Sequence, residues 1–233
     1  VNCESKITTM RLLFTALAFL FSVSVFGQSP CNNQTSVTYQ GYEYDIIEIG
    51  DQCWFAENCK HLPTVSSSGE GSVSEPHYYV YNYNGSDLEI AMSTENYQTY
   101  GVLYNWPAVM TKEICPSGWH IPSDSDWSNL EIHLGMSEEE SKSDFRFDTN
   151  QGIELKSKTQ WNGTNSTGFN AIGGGFYSNK LFMMLKDYCG FWTSSETVDN
   201  TSLAWKRGLF NYDSIDRNME GKNLGFSARC IKD

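Results

Sequence analysis

The sequence predicts an α+β fold, with two or three short helices packed on irregular antiparallel β-structure and disulfides holding it together. Three observations carry that expectation. Helix-like spacing of apolar residues is confined to residues 100–142, the stretch after Gln151 turns to glycine, asparagine, aromatics and short apolar pieces, and six cysteines follow an export leader. Aromatic residues make up 14% of the chain and charged ones 19%, far from a disordered composition, and 233 residues suffice for one sizeable core.

The leader is read from Met10-Arg11, an apolar run over 12–26 and the small residue Gly27 before Gln28, with residues 1–9 as an upstream extension. The run is about 15 residues, short of the roughly 20 that span a bilayer, and no later segment is longer, so membrane insertion is not expected. Ser29-Pro30 lacks the small apolar residues of a lipid-attachment site, which argues against lipidation of Cys31. Removing 1–27 takes Cys3 away and leaves Cys31, Cys53, Cys59, Cys115, Cys189 and Cys230. An even count in an exported chain predicts three disulfides, but six cysteines allow 15 pairings and spacing alone does not choose among them. No C-x-x-C pair exists and Cys53 and Cys59 have no paired histidines, so metal ligation is the weaker reading. The net charge of −12 makes nucleic acid and anionic membranes poor partners. The expected organisation is a short N-terminal segment, 28–38, and a single domain over 39–233 with a loop insertion at 64–99, secreted or held at the cell surface.

Residues 42–49 carry Ile46, Ile47 and Ile49 and read as a strand; Gly50-Asp51 turns the chain into a second strand over 52–57, making a β-hairpin. Residues 64–74, rich in serine and glycine, read as a loop, and the tyrosine-heavy 78–83 as an exposed strand or ordered loop. Val102, Leu103, Trp106 and Val109 recur at helix-like intervals and predict a short helix within 100–110, with Pro107 in its first turn. Ser123 and Asp126 form a variant capping box, Trp127, Leu130 and Leu134 recur at i, i+3 and i+7, and Gly135 ends the pattern, which predicts a helix over 124–134. A second helix starts at Ser137, with Glu138 to Glu140 in its first turn, where carboxylates suit the helix dipole.

Seven motifs then stand in fixed order. They are Ile49-Gly50-Asp51-Gln52-Cys53-Trp54-Phe55-Ala56-Glu57-Asn58, Tyr100-Gly101-Val102-Leu103-Tyr104-Asn105-Trp106, and Cys115-Pro116-Ser117-Gly118-Trp119-His120-Ile121-Pro122-Ser123-Asp124. Leu155-Lys156-Ser157, Thr164-Asn165-Ser166-Thr167-Gly168-Phe169, Phe191-Trp192-Thr193-Ser194-Ser195-Glu196 and Gly225-Phe226-Ser227-Ala228-Arg229-Cys230 follow. Over roughly 39–233, nearly all of the chain after the expected leader, the sequence resembles the Fibrobacter succinogenes major paralogous domain. The resemblance implies a secreted or surface bacterial protein with no established activity and a C-type-lectin-like fold related to the formylglycine-generating-enzyme type. It also implies the pairing of Cys115 with Cys230, then of Cys31 with Cys53 and Cys59 with Cys189. Where the family pattern reads Leu-Pro-Gly-Gly-Tyr-Arg this chain has Ile172-Gly173-Gly174-Gly175-Phe176-Tyr177, so no role of that arginine carries over. Oxidase chemistry does not carry over either, because Cys230 has no close second cysteine.

Aromatic faces in polar surroundings suggest sugar stacking. Trp54, Trp106, Trp119 and Trp127 sit among apolar residues and read as core, whereas Trp161 beside Asn162-Gly163 and Trp205 beside Lys206-Arg207 are expected to be exposed. The candidate ligand-binding residues are Trp161, Trp192, Trp205, Arg207 and Tyr81. Gly173 to Gly175 lacks the strand-to-helix setting of a phosphate loop and reads as a bulge or tight packing. Asp124 and Asp126 are explained by capping. Calcium (Ca2+) stays open as a cofactor because lectin-like folds use Asp, Asn and Glu oxygens, although Glu75-Pro76-His77 sets an imidazole where an oxygen ligand is needed. No Gly-x-Ser-x-Gly elbow exists and His61, His77, His120 and His133 show no partner spacing, so no catalytic residue is assigned. The sequence favours a secreted, non-catalytic recognition or structural domain for extracellular glycan or a surface protein. The rival is a secreted hydrolase of extracellular polysaccharide using carboxylates such as Glu57, Asp124 or Glu196, which needs two carboxyls facing each other about 5 to 9.5 Å apart.

Overall fold

The computed structural model describes residues 29–144, 146 and 149–233; the expected leader at 1–27, with Cys3, lies outside the described residues. Two five-stranded sheets carry an α+β architecture that is mostly β, with short helices between them. β1 (Ser36–Tyr39) pairs antiparallel with β2 (Tyr42–Ile49), and β2 with β3 (Gln52–Phe55). Gly50 takes φ 63° in the β2–β3 turn, a left-handed conformation that glycine adopts without cost, so the hairpin read from the sequence forms.

The insertion at 64–99 is not all loop. It holds β4 (Tyr78–Tyr79) and two helices, α1 (Leu88–Ser93) and α2 (Glu95–Tyr100), whose caps are Asp87, accepting from the Ile90 amide, and Thr94, accepting from the Tyr97 amide. Tyr78, Tyr79 and Val80 are buried, which corrects the expectation of an exposed strand. The helix expected within 100–110 resolves into β5 (Leu103–Tyr104), paired with β4, and a single turn, α3 (Trp106–Val109). Asn105 caps α3 and Pro107 has no N–H to lose in the first turn, so the helix starts there and Val102 and Leu103 are left to the strand.

β6 (Trp119–His120) leads into α4 (Asp124–His133), where Ser123 and Asp126 form the capping box in both directions. A second box, Ser137 with Glu140, starts α5 (Glu138–Lys142), and one further turn, α6 (Gly152–Leu155), follows. Beyond it β7 (Gly174–Ser178), β8 (Leu181–Leu185), β9 (Tyr188–Glu196), β10 (Leu203–Phe210) and β11 (Ile215–Gly221) gather into one sheet in the order β11-β10-β9-β7-β8. The sheet keeps an irregularity, a register shift between Ala204 and Lys206, and is not wholly antiparallel, since β7 pairs parallel with β9. Both faces of β9 are buried over its first six residues, so it carries no polar alternation to read. β12 (Ile231–Lys232) returns to the first sheet and pairs with both β3 and β6. No described helix is long and apolar enough to cross a membrane.

Trp54, Trp127, Phe169 and Phe191 are fully buried and pack tilted or edge to face, with Trp54 and Trp127 centroids 5.1 Å apart and Phe169 and Phe191 5.7 Å apart. Trp106 is buried as expected and Trp119 is partly so. Gly173 and Gly175 lie against the backbone of Lys186 and Met183, where a Cβ would clash at 2.7 and 2.5 Å; tight packing accounts for the glycine run.

Cys31–Cys53 and Cys115–Cys230 are disulfides. The third expected bridge is absent: Cys59 and Cys189 are buried thiols. The Sγ of Cys59 lies 3.6 Å from that of Cys230, which is already bonded to Cys115, and Cys189 Sγ rests against Ser227 Oγ at 4.0 Å. Burial pushes the Cys59 thiol up to about 12 and Cys189 up to about 11, with the Arg229 charge opposing, so both stay protonated at neutral pH.

Candidate functional site

A cleft of about 730 Å³ opens where three distant segments meet. In the first, the middle of β2 supplies Asp45 and Ile47 and the residues just after β3 supply Glu57 and Asn58; the C-terminal end of α2 supplies Gln98 and Thr99, and the loop before β7 supplies Gln160, Asn165 and Asn170. Gly101 lets the first two segments close up: its φ is 74° and a Cβ there would stand 2.7 Å from the Cys59 carbonyl. Asn165 and Asn170 both take left-handed backbone, and the Asn165 side-chain oxygen accepts from the Asn170 amide at 2.7 Å.

Arg229 holds the first and third of these segments together from below. Its guanidinium donates to the carbonyls of Phe55, Phe169 and Asn170 and to Asn58 Oδ1, and lies 4.1 Å over the Phe169 ring. Burial pushes Arg229 down to about 10, against Cys189, Cys59 and Glu57, which leaves it charged at neutral pH. The Asn58 amide donates to the Tyr100 carbonyl and to Ser227 Oγ, so Asn58 is committed to the walls. The groups left to a ligand are the exposed Thr99 and Gln160, the Oε1 of Gln98, whose Nε2 donates to the Met92 carbonyl at 2.7 Å, the half-buried Asn170 and Lys60, the Nδ2 of Asn165, and the carboxylates of Asp45 and Glu57. Amides and hydroxyls both donate and accept, so this lining suits a polyhydroxylated ligand. None of the four histidines lines the cleft, and among the described residues no group of three His, Cys, Asp or Glu side chains is placed to hold a metal ion.

The residues singled out from the sequence do not converge here. Trp192 is fully buried, with Nε1 donating to the Tyr104 carbonyl, and Arg207 is fully buried, donating to Glu131 and Asp124; the expectation that these two meet a ligand is corrected. Trp205 is half-buried under the Arg217 guanidinium, 3.6 Å from its ring. Trp161 is half-buried, donates from Nε1 to Asn211 and directly follows Gln160, whereas Tyr81 packs beside Phe182 at 5.3 Å. Of the three carboxylates named for hydrolysis only Glu57 lines the cleft; Asp124 is held by Arg207 and Arg217, and Glu196 by Lys222. The sequence reading missed the amides, whose only signal was the polar motif 164–168.

Asp124 ties two β-strand arginines to the start of α4. Burial alone would raise its carboxyl, but hydrogen bonds and charge from Arg217 and Arg207 hold it below the usual carboxylate range. A depressed folded value gives stability that is fully present above the unfolded value near pH 4 and is lost as pH falls through the folded one. The melting temperature should therefore fall from about pH 4 downward, and Asp124→Asn should flatten that slope. An unchanged slope in the variant would contradict this.

The chain matches the family model described as the Fibrobacter succinogenes major domain over residues 47–232. No curated protein and no solved structure matches it.

Proposed function

We propose that this chain, which belongs to the Fibrobacter succinogenes major domain family, is an exported recognition domain that holds an extracellular polysaccharide in the amide-lined cleft without cleaving it. The observation that carries the reading is the lining: amides and a hydroxyl from α2 and from the loop before β7, with Lys60 and two carboxylates from the first segment, line one open groove, and the guanidinium beneath ties two of these segments together. Such groups can meet neighbouring sugar hydroxyls in pairs. The two carboxylates come from β2 and from just beyond its partner β3, close enough that Glu57 Oε1 accepts from the Asp45 amide at 3.4 Å, and the other walls carry none. A hydrolase needs carboxyls on both sides of the scissile bond. Two disulfides and an acidic chain suit an extracellular setting. A C-type-lectin-like fold belongs to the same proposal, supported by β12 closing the first sheet beside the Cys115–Cys230 bridge.

The test is to screen oxidised residues 28–233 against marine, plant and bacterial polysaccharides, with calcium and with chelator, recording both retention and released sugar. Retention without release is expected. Loss of retention in chelator would assign calcium to the site, whereas released sugar, or no retention on any polysaccharide, would overturn the reading.

A further inference from the structure

A second cavity crosses the larger sheet. It measures about 160 Å³ and takes residues from all five strands, among them Phe176, Tyr188, Phe210, Lys206, Asp216 and Glu220. We propose that this trough binds an alkylammonium group, with Asp216 and Glu220 taking its charge and the aromatic walls its stem.

Asp216, Asn218 and Glu220 alternate along β11 and so face one side of the sheet, opposite Gly208, Lys206 and Ala204 on β10. Gly208 leaves room for the Lys206 side chain to lie across it: a Cβ there would stand 3.0 Å from Lys206 Nζ and from the Tyr188 hydroxyl. The ammonium then donates to Asp216 Oδ2 at 2.7 Å and stands 5.4 Å from the Tyr188 ring centroid. The trough thus already houses one ammonium against an aromatic face.

It lacks a second cation. Asp216 is 4% exposed, yet its Oδ1 has no hydrogen-bond partner, and Lys206, the one cation lining the trough, is bonded to Oδ2. Glu220, half-buried four positions along the strand, makes no salt bridge among the described residues; burial and the Asp216 charge push its carboxyl up, against Lys206. Two carboxylates against one ammonium leave a net charge of about −1 in an aromatic recess, where an acceptor without a donor is costly. A primary ammonium supplies both the positive charge and the N–H donors. Phe176 and Phe210, with ring centroids 5.4 and 4.6 Å from Tyr188, offer faces to a short alkyl stem, and Met184, 41% exposed, stands at the open rim. The ammonium can come from a free amine or from a lysine side chain of a protein partner.

The test titrates the oxidised chain with n-butylammonium, 1-butanol and butyrate, following NMR shifts of Asn218 and Glu220. Saturable binding is expected for n-butylammonium alone. Asp216→Asn strands Lys206 and endangers the fold, so the variants of choice are Glu220→Gln, expected to weaken binding about tenfold at an unchanged melting temperature, and Met184→Trp, expected to block the rim. Putrescine binding more tightly than Nα-acetyl-lysine methylamide would assign a free amine, and the reverse order a protein lysine; either supports the site. Equal binding of 1-butanol, no saturation with n-butylammonium, or full affinity in Glu220→Gln would overturn it.

Discussion

Glu131→Gln should lower the unfolding free energy by about 3–5 kcal/mol, the range for breaking a buried ion pair from one side. Glu131 is fully buried on α4 and takes Arg146 Nη1 and Nη2 at 2.8 and 2.9 Å and Arg207 Nε at 2.6 Å. Arg207 continues to Asp124, which also binds Arg217, and Arg217 reaches Asp144. Three carboxylates thus balance three guanidiniums in a single network joining α4 to β10 and β11. Glutamine keeps the volume and removes the charge, so two arginines would compete for what Asp124 and Asp144 can still offer. Chemical denaturation of the oxidised chain reads the loss as a shift in midpoint. By contrast, Glu138→Gln, which removes the exposed i,i+4 pair with Lys142, should leave the midpoint where it is. Equal midpoints for wild type and Glu131→Gln would show that the network adds nothing.

Removing the Cys115–Cys230 bridge should have an effect of similar size. It closes 115 residues, which in the chain-entropy model is worth about 5 kcal/mol, against about 3 kcal/mol for the 22 residues of Cys31–Cys53. The double variant Cys115→Ala/Cys230→Ala should show the whole loss. Cys115→Ala alone should show less, because Cys59 lies 3.6 Å from the sulfur it frees and oxidative folding can then join Cys59 to Cys230. Non-reducing peptide mapping would detect that new bridge. An equal loss in both variants, with no Cys59–Cys230 peptide, would contradict the expectation.

Two local signals in the sequence match local structure, whereas the short capped helices α1 and α2 within 64–99 were read as loop. The β2–β3 hairpin needs only Gly50-Asp51 between two apolar runs, and α4 needs only its capping box and Trp127, Leu130 and their spacing. The second sheet was hidden because β9 is buried on both faces and the turns Asn179-Lys180 and Lys186-Asp187 beside it carry no glycine to mark them. Arg207 looked exposed because Lys206-Arg207 stand together, yet Asp216 on β11 and Asp124 and Glu131 on α4 neutralise them inside the protein. The third disulfide failed for a similar reason: the sulfur nearest Cys59 is one already bonded to Cys115. The cleft was illegible because its lining comes from segments near 58, 98 and 165, which nothing in the sequence places side by side and two of which Arg229 draws together.

The most direct measurement compares affinities for an oligosaccharide cut from a retained polysaccharide, using Gln98→Ala/Gln160→Ala on the cleft and Trp205→Ala away from it. Both glutamines are exposed and the fold loses only the solvent-exposed Gln98 bond to the Met92 carbonyl, so the double variant should nearly keep its melting temperature while binding about tenfold more weakly, two hydrogen-bonding groups having been lost. Trp205→Ala should bind as wild type does. Full affinity in the double variant with loss in Trp205→Ala would move recognition out of the cleft and onto the face of β10.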